Sequence, residues 1–402
     1  MSENRPGTAN RNGRDSRIRA AERPMIQGGN SLNGMPEIRV SVIVPVYNAE
    51  DTIRRCLDDI TGQTLRETEI ICVDDGSRDG TYSVLEECRQ KDSRIRIIRQ
   101  ENQGAGMARN TGMKEARGEY LCFLDADDRF EPDMLQSAWE RCRETGADAC
   151  VWGADAVDAQ TGNTEPFISA LDTAYLPKTD PFDPASDEMH EKLMQLVNGV
   201  PWSKMFSREL VRETVLQFQA LRTTNDAFFI YCTLCHARRI TVLNRILVHR
   251  VKNIASSLTQ TREKSWRCFF EAYAAIRDRL EQDGLFGRFE RTYMNRLLQN
   301  VLWHVETISP AGAEQIAEYL KTGGLEQLGI ERYGADFYYG RLYERYLWMR
   351  DLDPAAFRIL MQVARERDGL EKEIREIRNC RSYRLNARLH AAARRLLPGR
   401  KG

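Results

Sequence analysis

Asp125, Asp127 and Asp128 close an apolar run, Tyr120-Leu121-Cys122-Phe123-Leu124. Like charges this close repel and raise one another's pKa, so an ionised cluster calls for a compensating metal or basic group. Hard oxygen ligands beside a phosphate-binding fold suit Mg²⁺ or Mn²⁺. The competing structural reading is a solvated turn that caps a helix starting near Glu131-Pro132, with Asp128 as N-cap and Pro132 as an early helical residue.

The surrounding sequence supplies elements that could hold such a cluster. An apolar run, Val40 to Val46, is followed by Ile53, Leu57 and Ile60 at helical spacing. Ile70-Ile71-Cys72-Val73 runs into Asp74-Asp75-Gly76-Ser77 and then a helical pattern with Val84 and Leu85. Ile95 to Ile98 leads into the Gly-rich stretch Asn102 to Gly112. Strands alternating with helices indicate βαβ units, a parallel sheet and right-handed crossovers. Apolar strands of this kind are buried on both faces, and open α/β sheets bind ligands at their carboxyl ends, where Asp125 and Asp127 fall.

Four motifs occur in order: Val44-Pro45-Val46-Tyr47-Asn48, Val73-Asp74-Asp75-Gly76-Ser77, Ala108-Arg109-Asn110-x-Gly112 and Phe123-Leu124-Asp125-Ala126-Asp127-Asp128. On these motifs the chain, over residues 38–250, resembles a family-2 glycosyltransferase of the GT-A fold. The resemblance implies an inverting transferase with a Rossmann-like, mostly parallel sheet flanked by helices, a nucleotide-sugar donor and Mn²⁺ or Mg²⁺. It implies that Asp75 recognises the nucleobase, usually uracil, and that Pro45, Tyr47 and Asn48 line the same pocket. Arg109 would pair with the diphosphate, since a guanidinium matches phosphate oxygens bidentately. By the family pattern Asp127 contacts the metal, while Asp125 lies against the ribose or the metal's water shell.

Inversion also needs a base opposite the leaving group. Arg222-Thr223-Thr224-Asn225-Asp226-Ala227 resembles the family's acidic segment that opens a helix, which makes Asp226 the candidate base; the alternative is a helix-terminal acid favoured by the macrodipole. Val200 to Phe206 resembles a Trp-x-Lys segment near the acceptor side, so Trp202 is expected to stack on a sugar and Lys204 to approach phosphate or acceptor. His249, after Arg245 to Val248, stands where some relatives provide a late metal ligand or diphosphate contact. A sugar nucleotidyltransferase is the weaker enzyme alternative, because no Gly-rich, Arg/Lys-containing phosphate loop follows the first strand. A non-catalytic scaffold is disfavoured by retention of Asp75, Asp125, Asp127 and Asp226.

Global features bound the rest. The 59 basic and 59 acidic residues cancel, so no strong overall field steers the molecule toward nucleic acid. Residues 1–36, polar and lacking the apolar core of a signal peptide, are expected to be a disordered tail. Residues 37–260 would form the GT-A domain, 261–364 a C-terminal helical extension, and 365–402 a charged then basic amphipathic tail. The ten cysteines read as reduced and mostly buried, and no apolar run is long enough to span a membrane. The expected setting is cytoplasmic, with a glycan or lipid-linked saccharide as acceptor and peripheral membrane contact through the tail from Arg378 onward.

Overall fold

The computed structural model describes residues 37–252 and 258–379. The expected N-terminal tail, and the basic tail beyond Asn379, lie outside the described residues.

Nine strands form one sheet: β1 (Val40–Val46), β2 (Thr68–Asp74), β3 (Ile95–Arg99), β4 (Tyr120–Phe123), β5 (Arg129–Phe130), β6 (Ala149–Asp158), β7 (Thr164–Pro166), β8 (Lys204–Ser207) and β9 (Ile240–Lys252). The order is β3-β2-β1-β4-β8-β6-β9-β5, with β7 paired to β6. The first four neighbours in that order are parallel, as the apolar runs require. Beyond β4 the joins are mixed: β8 lies antiparallel to both β4 and β6, and β6 is parallel to β9.

Helices α1 (Ile53–Thr61), α2 (Thr81–Lys91), α3 (Ala105–Glu115) and α4 (Met134–Thr145) connect the early strands. Strand pleating sorts β1 between two cores. Val42, Val44 and Val46 face a cluster with Ile53, Leu57 and Ile60 of α1, while Ile43 faces a second cluster. Gly112 allows α3 to close on that second face, because a Cβ there would lie 2.6 Å from Ile43 Cγ2.

The second core continues without a break into the C-terminal helices. After α5 (Leu193–Leu196), α6 (Arg208–Thr214) and α7 (Ala227–His236) come α8 (Arg267–Gln282), α9 (Phe286–Thr307), α10 (Pro310–Tyr319), α11 (Leu325–Leu328), α12 (Leu342–Asp351) and α13 (Pro354–Asn379). Phe269, Tyr293, Leu297, Tyr346 and Phe357 share one cluster with Phe123 and Phe206 of the sheet. The helical extension is therefore packed onto the sheet face that carries Ile43, Phe123 and Phe206, and α13 runs through the boundary expected at 364/365. Along α13, Ile359, Val363, Leu370 and Ile374 are exposed. Among the described residues no helix is long and apolar enough to cross a membrane.

Candidate active site at the carboxyl ends of the strands

The carboxyl ends of β1, β2 and β4 converge on one edge of the parallel half. Asp75 follows β2, and its N–H donates to Val46 O at 2.8 Å, which ties it to the end of β1. Tyr47, the next residue of that chain, is 47% exposed and so open to a ligand. Asn48 adopts φ 47°, a left-handed conformation that a turn must enforce. Its backbone N–H donates to Ser77 Oγ at 3.0 Å and its Oδ1 accepts from Arg78 N at 2.9 Å. Pro45 is still within β1, paired with Val73, so it shapes the floor.

Asp75 itself is buried and heavily engaged. Its carboxylate accepts from Gln100 Nε2 at 2.7 Å, Gln103 N at 2.9 Å and Gly104 N at 2.7 Å. About four acceptor positions exist on a carboxylate, so most are taken by the loop ahead of α3. The expected nucleobase contact therefore has a second, structural role that the sequence did not disclose. Gln100, whose side-chain amide makes one of these bonds, is the sequence signal that could have revealed it.

The acidic cluster is not the solvated cap considered from sequence. Asp128 is buried and accepts from Val251 N at 3.1 Å, Arg129-Phe130 forms β5, and α4 begins at Met134 with Asp133 as its N-cap. Burial, and then the neighbouring Asp125 charge, push Asp127 up to about 6. Burial with Asp127 and Asp125 pushes Asp128 well above the usual carboxylate range. Arg250 and Arg55 act on Asp127 in the opposite sense.

Asp125 is held differently. Arg109 Nη2 donates to Asp125 Oδ1 at 2.6 Å, and Nη1 donates to Asn225 Oδ1 at 3.0 Å. Arg109 is 5% exposed, so its expected diphosphate contact is replaced by this bridge. The bridge joins β4, α3 and the turn before α7, across 116 residues of sequence. Gly106 makes the approach possible: a Cβ there would sit 2.3 Å from Gln219 O and 3.2 Å from Asn225 Cβ.

Asp226 follows Asn225 at the N-cap position of α7, yet its side chain makes no capping hydrogen bond. The residue before the pair, Thr224, has φ 58°, a costly conformation for a β-branched side chain and of the kind that gathers at functional sites. Burial raises the Asp226 pKa, with the Arg109 charge opposing it and Asp125 adding to it. A half-buried carboxylate of raised basicity, not engaged in capping, is suited to accept a proton.

Three expected site residues point elsewhere. Trp202 is 3% exposed and packs on Phe167 with ring centroids 5.6 Å apart, so it offers no open face to a sugar. Lys204 is fully buried, donating from Nζ to Val200 O at 2.8 Å and Ser203 Oγ at 3.0 Å, which removes it from any phosphate. Burial draws its ammonium down to about 7, with Asp226 pulling the other way. His249 lies between Asp155 Oδ1 at 2.7 Å and Glu131 Oε1 at 2.9 Å. Burial alone would lower its pKa, but these two carboxylates raise it. An imidazolium with both nitrogens donating has no lone pair for a metal.

Among the described residues no group of three or more His, Cys, Asp or Glu side chains forms a ready cation cage. That is compatible with Mg²⁺ or Mn²⁺ chemistry, since such ions are commonly held by one or two carboxylates plus substrate phosphates. Asp127, raised in pKa by burial and then by the Asp125 charge, is a group that a cation would relieve.

Comparison with known proteins agrees with the fold. Residues 41–215 match the family model described as Glycosyl transferase family 2. The chain is 29% identical over 297 residues to EpsH of Bacillus subtilis (strain 168), covering 71% of this chain and 82% of EpsH. It is 29% identical over 233 residues to the glycosyltransferase GlyA of Streptococcus pneumoniae serotype 4, covering 57% of this chain but only 32% of GlyA. Among solved structures it resembles S. aureus TarS 1-349 in complex with UDP-GlcNAc, with a TM-score of 0.62, 21% identity, and coverage of 82% of this chain and 92% of that one. Residues 41–215 thus match glycosyl transferase family 2, and the chain has a mixed α/β fold similar to the GT-A fold of TarS.

Proposed function

We propose that the chain transfers one sugar, with inversion, from a nucleoside-diphospho-sugar, foremost a UDP-sugar, to a hydroxyl of a glycan or lipid-linked saccharide. The observation that carries this reading is the bridge Asp125–Arg109–Asn225, which holds Asp226 beside the acidic cluster. In the transfer an acceptor oxygen forms its bond to the anomeric carbon as the bond from that carbon to the diphosphate breaks, and the hydroxyl proton passes to an Asp226 carboxylate oxygen. Asp226's raised pKa makes it a better base near neutral pH than an ordinary aspartate. Arg109 orients Asp125 through its hydrogen bond and fixes the turn that carries the base. Tyr47 and the loop organised by Asp75 would receive the nucleobase, with Pro45 and Asn48 shaping that pocket.

Asp127, with Asp125 beside it, would hold Mg²⁺ or Mn²⁺. A bound divalent ion supplies Lewis-acid neutralisation of the departing diphosphate. The same reading sets the enzyme on the cytoplasmic side of a membrane, with residues 378–401 as a basic peripheral contact. The test is release of nucleotide from a panel of UDP-, GDP-, CMP- and dTDP-sugars with Mn²⁺ or Mg²⁺. Metal-stimulated hydrolysis of a UDP-sugar supports the reading, and turnover of only a non-UDP donor would replace its donor; no release from any donor would contradict it.

A further inference from the structure

A cavity of about 360 Å³ opens where the sheet domain meets the helical extension, lined by Tyr175, Gln195 of α5, Gln299 of α9, Tyr339, and Arg341 and Arg345 at the start of α12. That volume is within the range of small-ligand sites. Its walls are not apolar. Tyr175 and Tyr339 approach with ring centroids 6.4 Å apart and planes 43° apart. Arg291 covers one side of Tyr339 at 5.1 Å, and the Tyr339 hydroxyl donates to Glu191 O at 2.6 Å, so this ring is fixed in place.

The charged groups are likewise held in a frame. Arg341 pairs with Asp368 at 3.2 Å and with Glu371 at 3.1 Å, and Arg345 pairs with Asp368. Arg345 Nε is nevertheless buried with no hydrogen-bond partner among the described residues, and Gln299 is exposed at the rim. Ring edges and faces interleaved with planar amides, guanidinium groups and carboxylates suit a ligand that presents hydroxyls on its edges and C–H groups on its faces. A single point anion would not use that arrangement, because the arginines are already paired.

The cavity is joined to the acidic cluster by one continuous segment. Arg250, whose charge acts on Asp127, lies 5.5 Å from the Phe167 ring. From Phe167 the chain passes exposed Ile168, and Ser169 accepts from Asn198 N at 2.9 Å and from Asn198 Nδ2 at 3.1 Å. Asp172 N then donates to Leu196 O at 2.8 Å, and the segment arrives at Tyr175. Eight residue steps span under about 29 Å even when fully extended.

We propose that this cavity is a remote acceptor subsite, which holds a saccharide unit of a growing chain while the chain's reactive end lies at Asp226. The inference rests on the transferase reading above. It gives the helical extension a task, because Tyr339, Arg341 and Arg345 come from it and Tyr175 and Gln195 come from the sheet domain.

The test is saturation-transfer NMR on the full chain with three defined probes, chitohexaose, cellohexaose and a hyaluronan hexasaccharide, with UDP in the same tube. Two variants are compared with the intact chain: Gln299→Trp, an exposed position where bulk would block the rim, and Tyr175→Ala. At least one hexasaccharide receives saturation from the intact chain, and both variants cut that signal at least fivefold while the UDP signal is unchanged. Transfer to none of the three probes, or equal transfer in the intact chain and Gln299→Trp, would overturn the subsite. Absence of UDP binding by the intact chain with hexasaccharide binding retained would instead remove UDP-sugars as the donor and leave the glycan-binding cavity standing.

Discussion

The two ends of the same parallel strands treat buried carboxylates in opposite ways. At the amino ends, Glu69 of β2 is 3% exposed and fully answered: it accepts from Ser41 Oγ at 2.7 Å, from Arg117 N at 2.6 Å, and from the Arg96 and Arg117 guanidinium groups at 3.0 and 2.9 Å. Burial works against its charge, but those donors together hold its pKa below the usual value. At the carboxyl ends, Asp127, Asp128 and Asp226 are all raised. One end uses its acid for stability, and the other, where Asp75 and Asp125 are answered, leaves Asp127, Asp128 and Asp226 under-compensated, as strongly perturbed groups in a functional cleft often are.

The sharpest way to break this contrast is at the base. Asp226→Asn is expected to lower kcat by about 10²–10⁴-fold, the usual worth of general-base assistance. Because the base must be ionised and its pKa is raised, the intact enzyme loses rate as pH falls through a value above the ordinary 3.9 or so. The variant's residual rate should lack that acid limb; a pH–rate profile of both proteins would decide it.

Gly106→Ala attacks the same end through packing. The new Cβ would meet Gln219 O at 2.3 Å and push the turn that carries Asp226, so turnover should fall by about 10²-fold. Stability should drop by about 1–3 kcal/mol as the helix and turn are forced apart. Single-turnover rates alongside urea melts separate the two effects.

Glu69→Gln tests the opposite end. Losing charge-assisted bonds should cost roughly 2 kcal/mol of stability, seen as an earlier urea midpoint. The kcat of the folded enzyme should be unchanged. A large fall in kcat would mean the two ends are coupled.

His249→Gln gives the smallest expected effect. The folded-state pKa of His249 is raised, so its contribution is fully present below the unfolded value near 6.5 and is lost as pH rises through the folded value. The melting-temperature gap between intact protein and variant should be widest near about pH 6 and close toward about pH 9. A gap that widens with pH would contradict the doubly hydrogen-bonded imidazolium.

What could be read from the sequence follows from local chemistry. β1 to β4 and their helices were legible because strands buried on both faces run apolar and each ends in polar, Gly-rich residues. The acidic cluster was legible for the same reason, and Asp226 only through a family resemblance. Trp202, Lys204 and His249 were misdirected because residue type says nothing about which way a side chain faces: β8 turns Lys204 into the core, and β9 pairs His249 with β5 between two acids. Arg109's bridge to Asn225 was hidden because it depends on long-range packing that Gly106 permits. Tyr175 and Tyr339 meet only once the helical extension has docked, so no local pattern could announce their cavity.

The contrast between the two ends is tested most directly by measuring donor turnover and melting temperature on one variant, Asp127→Asn. The account predicts that metal-dependent nucleotide release falls at least about 10²-fold, while the melting temperature holds or rises because a crowded negative charge has been removed. Undiminished turnover would contradict it.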